Sequence, residues 1–438
     1  MSKINTAPRG TQDTLPDESY KKQFIEKTVM DISRSFGFNE IRTPVFENTQ
    51  LFSRSVGDTT DVVQKEMYTF EDKGGRSITL RPEGTAGAVR SVIEHGLLNG
   101  PMPLKVSYLT SCYRYERPQA GRLREFHQFG VECFGSAEPA ADVQIILLAK
   151  EIFDFLGVEN ISLEINSIGC SSCREEYYKA LREYFRARTD SLCPTCIDRL
   201  EKNPMRILDC KCPECKRTAE NAPVITDYLC EECKAHFEKV RSFLDSLQIS
   251  YSVNPRIVRG LDYYTKTVFE FISNEIGAQG TICGGGRYDG LVEEIGGKPT
   301  PALGFGMGIE RLLLLLEKMS FSFPGKPVAD IYIASLGEQS AKKAMEIFAE
   351  LTSDGYNART DLMNRSLKAQ LKYADKIGAR YSAVIGENDL ESGKVNVKNM
   401  ASGEVTELPL DNFSESFGNL MISTIVADLG DTDLWQNQ

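Results

Sequence analysis

The sequence lacks any apolar stretch that could cross a membrane. No uninterrupted apolar run is longer than Leu312–Leu316, whereas a membrane-spanning helix needs about 20 mostly apolar residues. The N-terminal segment MSKINTAPRG also lacks the apolar core of a secretory signal. We therefore expect a cytoplasmic protein that does not insert into a membrane.

An excess of positive charge is also missing, because 51 lysines and arginines are outnumbered by 62 acidic residues, for a net charge of −11. This balance argues mildly against a nucleic-acid partner, although a local basic surface is enough to bind a phosphate backbone. With 438 residues, 26% of them charged and 41% hydrophobic, the chain is typical of a soluble globular protein with two or three domains.

Cysteine, by contrast, is concentrated in one segment that holds nine of the twelve cysteines. Four C-x2-C pairs lie there, and in a reducing compartment such pairs indicate metal ligands more often than disulfides. The first choice for one tetrahedral site is Cys193, Cys196, Cys212 and Cys215. A second site would use Cys170, Cys173, Cys230 and Cys233. All-cysteine coordination leaves no open position, so we expect structural Zn²⁺; the alternative is free thiols without metal.

The segment Leu104–Gly135 predicts a β-hairpin with an unusual polar face, because side chains alternate across a strand. One side of the hairpin would carry Arg114 and Glu116 from the first strand and Phe126, Gln128 and Glu132 from the second. These residues are flanked by apolar ones, so we expect them to be partly buried and paired. They form either a salt-bridge network or a pocket in which arginine grips phosphate and phenylalanine stacks on a base.

This hairpin, with YRYERPQAGR and EFHQFGVE, resembles the second signature motif of the class II aminoacyl-tRNA synthetases, in the form of the histidine-specific family. RGLDYYTKTVFE (Arg259–Glu270) and ICGGGRYDGL (Ile282–Leu291) are similar to that family more specifically. The resemblance runs from about Pro8 to the 420s and implies an α+β class II synthetase core, an antiparallel sheet flanked by helices. Residues 1–169 and 236–325 would form this catalytic domain, and residues 170–235 would form a helical cysteine-rich insertion. Residues 328–427 would form an α/β anticodon-binding domain, in which the alternation of strands and helices favours a mixed, largely parallel sheet. We expect residues 428–438 to be a disordered tail.

The resemblance implies a histidine site. Glu83 would receive the α-ammonium group with help from Thr85, although a carboxylate there could simply stabilise a helix N-terminus. Tyr264 and Glu132 would hydrogen-bond the two imidazole nitrogens. The implied histidine-binding residues are Glu83, Thr85, Gln128, Glu132, Tyr263 and Tyr264.

It also implies an ATP site that uses Mg²⁺. Arg259 and Arg114 would be catalytic, Arg259 by reaching the α-phosphate and the histidine carboxylate. The segment PALGFGMG, shortly before Arg311, does not fit the dinucleotide-binding fingerprint. It is similar to the third class II motif, whose arginine holds the γ-phosphate. The alternative is that Arg311 forms a surface ion pair with Glu310 or Glu317. The implied ATP-binding residues are Arg114, Glu116, Phe126 and Arg311. The triplet Gly284–Gly286 marks either a close approach of the backbone to a ligand or a bulge.

Three further expectations concern partners. The hairpin loop, with Gln119 and Arg122, would meet the tRNA acceptor end. A basic helical stripe in the C-terminal domain would contact the tRNA backbone, although charge runs are usually solvated faces; its residues are Arg365, Lys368, Lys372 and Lys376. A helix is expected over residues 19–36, and a strand interrupted by Pro44 follows it. This pair of elements resembles the first class II motif and implies a homodimer. The alternative is a surface helix and an edge strand with no such role.

The function expected from this resemblance is that of a histidine–tRNA ligase, which joins ATP and L-histidine to histidyl-adenylate and transfers histidine to the 3′ end of its tRNA. The alternative is a catalytically inactive paralogue that serves as the regulatory subunit of ATP phosphoribosyltransferase. A third possibility is a zinc-stapled RNA-binding module on an inactive synthetase fold. The retained site residues and the C-terminal domain favour the ligase.

Overall fold

The computed structural model describes residues 5–57, 60, 62–259, 261–276 and 280–431. The chain forms two compact units, Met1–Pro324 and Gly325–Gln438. Of the predicted disordered tail, residues 428–431 are instead helical, at the end of the helix Phe413–Asp431, and residues 432–438 lie outside the described residues. Within the described part of the chain, no helix combines the length and the apolar character that a membrane span requires.

The first unit is a mixed α and β structure. Its strands are β1 (Asn39–Glu40), β2 (Phe46–Asn48), β3 (Tyr68–Glu71), β4 (Ser77–Leu80), β5 (Leu104–Tyr113), β6 (Glu125–Phe134), β7 (Ser162–Ser167), β8 (Ser252–Val253), β9 (Thr265–Ile272), β10 (Thr281–Arg287) and β11 (Ala302–Gly308). Its helices are α1 (Ser19–Ser35), α2 (Thr49–Val56), α3 (Thr85–Glu94), α4 (Pro139–Phe155), α5 (Ser171–Arg186), α6 (Pro194–Lys202), α7 (Pro213–Ala219), α8 (Glu231–Ser246), α9 (Leu291–Glu294) and α10 (Ile309–Lys318).

Eight of these strands form one sheet in the order β1-β5-β6-β11-β10-β9-β7-β8. All its pairings are antiparallel except the two at the edges, β1 with β5 and β7 with β8. A separate antiparallel sheet has the order β2-β4-β3. The predicted hairpin is confirmed as β5 and β6, in register from Leu104 opposite Phe134 to Tyr113 opposite Glu125. Arg114 and Glu116, which were expected on the first strand, instead follow its end.

The alternation of side chains along β6 separates the core from the polar face. Phe129 and Val131 belong to the main hydrophobic core, which α1, α4, α8 and α10 complete. The residues that alternate with them along the strand therefore lie on the other face of the sheet. Gln128 and Glu132 are on that other face, as the hairpin pattern predicted.

The strand expected around Pro44 is divided into two strands in different sheets. Proline has no backbone N–H to donate to a sheet, and β1 ends before it while β2 begins after it. The guanidinium of Arg81 binds this connection by donating to the carbonyl oxygens of Thr43 at 2.8 Å and Pro44 at 3.0 Å.

The cysteine-rich segment is helical, and each of its four α-helices starts at a C-x2-C pair. The first cysteine of each pair is the N-cap residue of α5, α6, α7 or α8, in order Cys170, Cys193, Cys212 and Cys230. Helix α8 continues into the catalytic core, where Val240 and Leu244 are buried. The insertion and the core are thus joined by one continuous helix.

The second unit is an α/β sandwich around five strands in the order β13-β12-β14-β15-β16. The strands are β12 (Ile331–Ser335), β13 (Ala358–Thr360), β14 (Tyr381–Ile385), β15 (Lys394–Asn399) and β16 (Val405–Pro409). The helices are α11 (Glu338–Ser353), α12 (Leu367–Lys376), α13 (Glu387–Ser392) and α14 (Phe413–Asp431). Two pairings are parallel and two are antiparallel, so the sheet is mixed but not largely parallel.

Candidate active site

Two adjoining cavities lie against the polar face of the main sheet and share one wall. The outer chamber, of about 180 Å³, is lined by residues that include Glu116, Arg122, Phe126 and Arg311. The inner chamber, of about 130 Å³, is lined by residues that include Glu83, Thr85, Tyr263 and Tyr264. The residues common to both are Arg114, Gln128, Arg259, Gly284 and Gly306. Residues predicted for ATP therefore line one chamber, and most of those predicted for histidine line the next.

Glycines in the central strands make room for the polar side chains of this wall. A Cβ atom on Gly284 would collide with the Arg259 guanidinium, one on Gly306 with the Gln128 amide, and one on Gly304 with the Glu132 carboxylate. The space beside Gly284 is thus filled by a side chain of the protein itself. The pairing of β9 with β10 also shifts register between Gly286 and Arg287, so the glycine triplet ends in a bulge.

Arg259 occupies the junction of the two chambers as a fixed positive charge. One of its terminal nitrogens pairs with the Glu270 carboxylate of β9, and its guanidinium lies 5.6 Å from the centre of the Tyr264 ring. Burial favours the neutral form, but Glu270 and Tyr264 outweigh it and raise the pKa of Arg259. Its Nε is buried without a hydrogen-bond partner among the described residues, and an anionic oxygen would satisfy it.

The outer chamber concentrates positive charge. Among the residues that the structure describes, Arg311 donates to backbone carbonyl oxygens, those of Thr281 and, at 3.4 Å, Gly121. Burial, together with repulsion from Arg122 and Arg114, lowers the pKa of Arg311 to about 10. A guanidinium in that state is stabilised by a bound anion.

The predicted alternative for Arg311, a surface ion pair, is wrong. Glu310 instead binds His127 Nδ1 at 2.7 Å and Lys22 Nζ at 3.2 Å. Glu317 binds Lys21 Nζ at 2.8 Å. His127 is therefore held on the side of the hairpin away from Gln128, which favours a structural role for it.

The other side chains of the outer chamber suit a nucleotide. The Arg114 guanidinium donates to the Pro82 carbonyl at 2.8 Å and lies 5.3 Å from the centre of the Phe126 ring. Glu116 forms an ion pair with Arg122, so this loop arginine faces the chamber. A planar base beside Phe126 and a polyphosphate among the arginines would both find complementary groups.

In the inner chamber, Glu83 is a buried carboxylate at the start of α3. Its two oxygens accept hydrogen bonds from the backbone N–H groups of Thr85 at 2.7 Å and Ala86 at 2.8 Å. Burial is the largest influence and raises the pKa of Glu83. The helix-capping interpretation is therefore correct, and the same carboxylate also faces the chamber. A substrate cation would stabilise its ionised form.

Glu132 lies beside the inner chamber, and tyrosines hold it there. It accepts hydrogen bonds from the hydroxyls of Tyr108, at 2.8 Å, and Tyr288. Burial raises the pKa of Glu132 to about 8. The Tyr288 ring in turn packs 5.5 Å from Tyr263 and 6.4 Å from Tyr264, centre to centre. Glu132 is not among the described residues that line the chamber, so direct contact with imidazole stays a prediction.

Sequence reasoning missed Tyr108 and Tyr288 as the residues that orient Glu132. The available signal was glycine inside a strand, which marks close approach of another group. A Cβ atom on Gly130 would collide with the Tyr108 ring. That relationship becomes visible only once the strand register is known.

Comparison with known proteins identifies the family. The family model of histidyl-tRNA synthetase matches residues 10–312, and that of an anticodon binding domain matches residues 330–420. This chain belongs to the histidyl-tRNA synthetase family. It is 56% identical to the histidine–tRNA ligase of Acetivibrio thermocellus, over 93% of this chain and 98% of the relative. It is 53% identical to that of Caldanaerobacter subterraneus, over 95% and 100%.

A solved structure agrees with this assignment. The apo histidyl-tRNA synthetase of S. aureus has 40% identity and a TM-score of 0.81, with 94% of this chain and 100% of that chain covered. The predicted class II fold, with its helical insertion and C-terminal anticodon-binding domain, is confirmed. So is the prediction of an aminoacyl-tRNA ligase over the regulatory-subunit alternative.

The residues predicted to meet tRNA differ in exposure. In the hairpin loop, Gln119 and Arg122 exchange two backbone hydrogen bonds of 3.0 and 2.9 Å. In the second unit, Lys368 and Lys372 are exposed on α12. Arg365 precedes that helix, binds Asp361 at 3.1 Å and covers the Tyr373 ring at 4.4 Å. The prediction that Arg365 belongs to the helical stripe is therefore wrong, because this residue is anchored beside the helix.

Eight of the twelve cysteines form two groups of four, in each of which the sulfur atoms lie within 4.8 Å of one another. We call Cys193, Cys196, Cys210 and Cys215 the inner quartet, and Cys170, Cys173, Cys230 and Cys233 the junctional quartet. The predicted first set needs one correction, because Cys210 replaces Cys212. Cys210 is buried, whereas Cys212 caps α7 and donates its backbone N–H to Cys210 Sγ at 3.5 Å.

Proposed function

We propose that the outer chamber binds ATP, that the inner chamber binds L-histidine, and that the chain charges histidine tRNA in two steps. The observation that carries this proposal is the shared wall, where Arg259 faces both chambers with a buried Nε that has no hydrogen-bond partner in the described part of the chain. A reaction between two bound substrates needs their reacting atoms to meet at such a junction.

In the first step, the carboxylate of histidine attacks the α-phosphorus of ATP, histidyl-adenylate forms, and pyrophosphate leaves. Arg259 and Arg114 stabilise the negative charge that develops at the α-phosphate, which is worth most in a site with little water. Arg311 holds the far end of the triphosphate, Glu116 supports the loop, and adenine stacks on Phe126. In the second step, a ribose hydroxyl at the tRNA 3′ end attacks the acyl carbon and AMP leaves.

Selectivity for histidine follows from the buried polar groups of the inner chamber. Glu83, with Thr85, receives the α-ammonium group, and Gln128 offers an amide. Tyr263 and Tyr264, with Glu132 behind them, provide hydroxyl and carboxyl partners for imidazole, which has two ring nitrogens. A substrate without those nitrogens leaves buried groups unpaired, which can reduce its use by roughly 10⁴ to 10⁵.

A magnesium ion is expected with ATP, and the residues present fit it. Mg²⁺ is held by one or two carboxylates together with substrate phosphates, and Glu116 lines the outer chamber while Glu270 is paired with Arg259 at its edge. Glu116 and Glu270 would hold the ion, which would neutralise part of the negative charge of the triphosphate. The arginines would position the nucleotide around it.

Recognition of tRNA is proposed at two places, one in each unit. Gln119 and Arg122 would meet the acceptor end beside the outer chamber. Lys368 and Lys372, with Arg365 next to them, give α12 a local positive surface that suits phosphate contacts in spite of the negative net charge.

We also propose a cytoplasmic homodimer. Phe46 and Phe70 lie on one face of the three-stranded sheet and are 56% and 48% exposed. Val45, directly before β2, is 41% exposed. A second copy of the chain covering this apolar surface is the arrangement that the resemblance to the first class II motif implied.

The inner quartet is proposed to bind structural Zn²⁺. Its four thiol groups fill a tetrahedral shell, and the Cys193 N–H donates to Cys215 Sγ at 3.2 Å, a contact that stabilises a thiolate. Its role is to hold together short helices that have little core of their own.

The test is pyrophosphate exchange into ATP that depends on histidine. The wild type should exchange with histidine and with no other amino acid, and Arg259→Ala should lower the rate by about 10²- to 10³-fold. Arg241→Ala, which changes an exposed arginine of α8, is the control for folding and should exchange normally. A near-normal rate in Arg259→Ala, with circular dichroism unchanged, would refute the role given to Arg259.

A further inference from the structure

We propose that the junctional quartet binds a Zn²⁺ ion of its own and that this ion holds the tyrosines of the histidine chamber in position. This inference rests on the proposed function, because it assigns the inner chamber to histidine. It gives the metal a role in substrate affinity in addition to stabilising the insertion.

The sulfur atoms of the junctional quartet have the spacing of a tetrahedral thiolate site. Cys170 Sγ lies 3.6 Å from Cys173 Sγ and 4.0 Å from Cys230 Sγ. Zn–S bonds of about 2.3 Å in tetrahedral geometry place sulfur atoms roughly 3.8 Å apart, whereas a disulfide needs about 2 Å. The Cys230 N–H donates to Cys173 Sγ at 3.1 Å, which supports a thiolate there.

The quartet joins the two points at which the insertion leaves and re-enters the catalytic core. Cys170 and Cys173 lie at the start of α5, and Cys230 and Cys233 at the start of α8. Both helix N-termini favour the negative charge of thiolates. An ion bound here would fix α5 and α8 relative to each other.

Both helices also contact the segment that carries the chamber tyrosines. From α5, the Arg174 guanidinium donates to the Tyr264 carbonyl at 3.2 Å. From α8, Glu232 pairs with Lys266 Nζ at 2.8 Å. Just before α5, Gly169 accepts a hydrogen bond of 2.9 Å from the Lys266 N–H. The segment Tyr264–Lys266 is thus held from both sides of the quartet.

The backbone of this segment needs such support. Lys266 has a φ of +50°, a left-handed conformation that a residue with a side chain adopts only at some energetic cost. It persists where the surrounding contacts determine it, and those contacts come from the two helices that the ion would join.

A second connection leads from α8 to the other side of the chamber. His236 of α8 binds Asp142 at 3.2 Å, and Asp142 binds Arg287 at 2.5 Å. Arg287 precedes Tyr288, whose hydroxyl donates to Glu132. A shift of α8 would therefore reach the carboxyl group beside the imidazole position as well as Tyr264.

The experiment compares metal content and histidine affinity in three variants of the full-length protein. Metal is counted by elemental analysis after gel filtration, and the Kd of L-histidine is measured by calorimetry. The wild type should hold two zinc ions per chain, one for each quartet. C230S/C233S should retain one ion and bind histidine about tenfold more weakly, with ATP affinity unchanged.

Two further variants separate this role from a general loss of folding. Cys212→Ser, which changes the one cysteine of the insertion that belongs to neither quartet, should keep two ions and normal histidine affinity. Arg174→Met should keep both ions yet weaken histidine binding, because it removes only the connection to Tyr264.

Three outcomes would overturn the proposal. The wild type could hold a single ion that C230S/C233S retains, or C230S/C233S could lose an ion and bind histidine as Cys212→Ser does. Arg174→Met could also bind histidine normally. A different result would separate the two proposals. If the wild type holds two ions and its histidine binding depends on the junctional quartet, but it shows no pyrophosphate exchange, the metal site is supported and the proposed function is not.

Discussion

Replacing Gly284 by alanine should displace the catalytic guanidinium without touching the arginine itself. Gly284 lies in β10 opposite Glu270, the ion-pair partner of Arg259. A Cβ atom there would come within 2.6 Å of Arg259 Nη2 and 2.7 Å of Arg259 Cζ, where ordinary contacts begin at 3.4 Å. The guanidinium must therefore move by roughly 1 Å, and a displacement of that size can lower a rate by about a hundredfold.

The fold should tolerate this change, because the atoms in the way belong to the end of a flexible side chain. Gly285→Ala would instead bring Cβ within 2.8 Å of the Phe305 Cα in the neighbouring strand, so that variant is expected to misfold. Gly290→Ala is the matched control, since a Cβ atom there has no neighbour within 4 Å among the described residues.

The assay is the kcat/KM for histidine-dependent pyrophosphate exchange, with the thermal midpoint measured in parallel. Gly284→Ala should lose about a hundredfold in kcat/KM, or roughly 3 kcal/mol of transition-state stabilisation, and keep the midpoint of the wild type. Activity equal to that of Gly290→Ala would show that the position of Arg259 does not govern the reaction.

Three other changes test separate parts of the site. Arg311→Met should raise the KM for ATP by about ten- to a hundredfold and leave the KM for histidine nearly unchanged in steady-state kinetics; equal effects on both would contradict its assignment to the triphosphate. The pKa of Glu132 is raised to about 8, against roughly 4.3 in an unfolded chain. Its protonated form therefore stabilises the fold at low pH, and this contribution is lost as the pH rises toward 8. The thermal midpoint of the wild type should therefore fall more steeply with rising pH than that of Glu132→Gln, and parallel curves would argue against a buried neutral carboxyl group. Cys210→Ser should remove one bound metal ion and Cys212→Ser none in elemental analysis, the reverse being expected if the C-x2-C spacing alone chose the ligands.

The sequence predicted those features that depend on local periodicity. The two faces of the hairpin follow from the alternation of side chains, so Phe126, Gln128 and Glu132 share a face as expected. The alternative pair of Arg311 with Glu310 was wrong for a local reason, because adjacent residues of a helix point in different directions. Motif resemblance then assigned these residues to substrates that periodicity cannot name.

Features that depend on the third dimension were missed or predicted wrongly. The C-x2-C spacing predicted that Cys212 and Cys215 would bind one ion together, but only Cys215 belongs to the inner quartet, and the buried Cys210 takes the place of Cys212. The tyrosines that hold Glu132 arrive from β5 and from the end of β10, and only the strand register brings them together. The sequence contained these residues but gave no measure of their distance from one another.

The most direct test of the account is a crystal structure of the protein with ATP and histidinol, an unreactive analogue of histidine. We predict that the triphosphate lies among Arg114, Arg259 and Arg311, and that the imidazole ring lies in the inner chamber within hydrogen-bond reach of the tyrosine and carboxyl groups around it. The histidinol hydroxyl should face the α-phosphate across the wall formed by Arg259. Ligands bound in cavities that share no wall, or an α-phosphate out of reach of Arg259, would contradict the central claim.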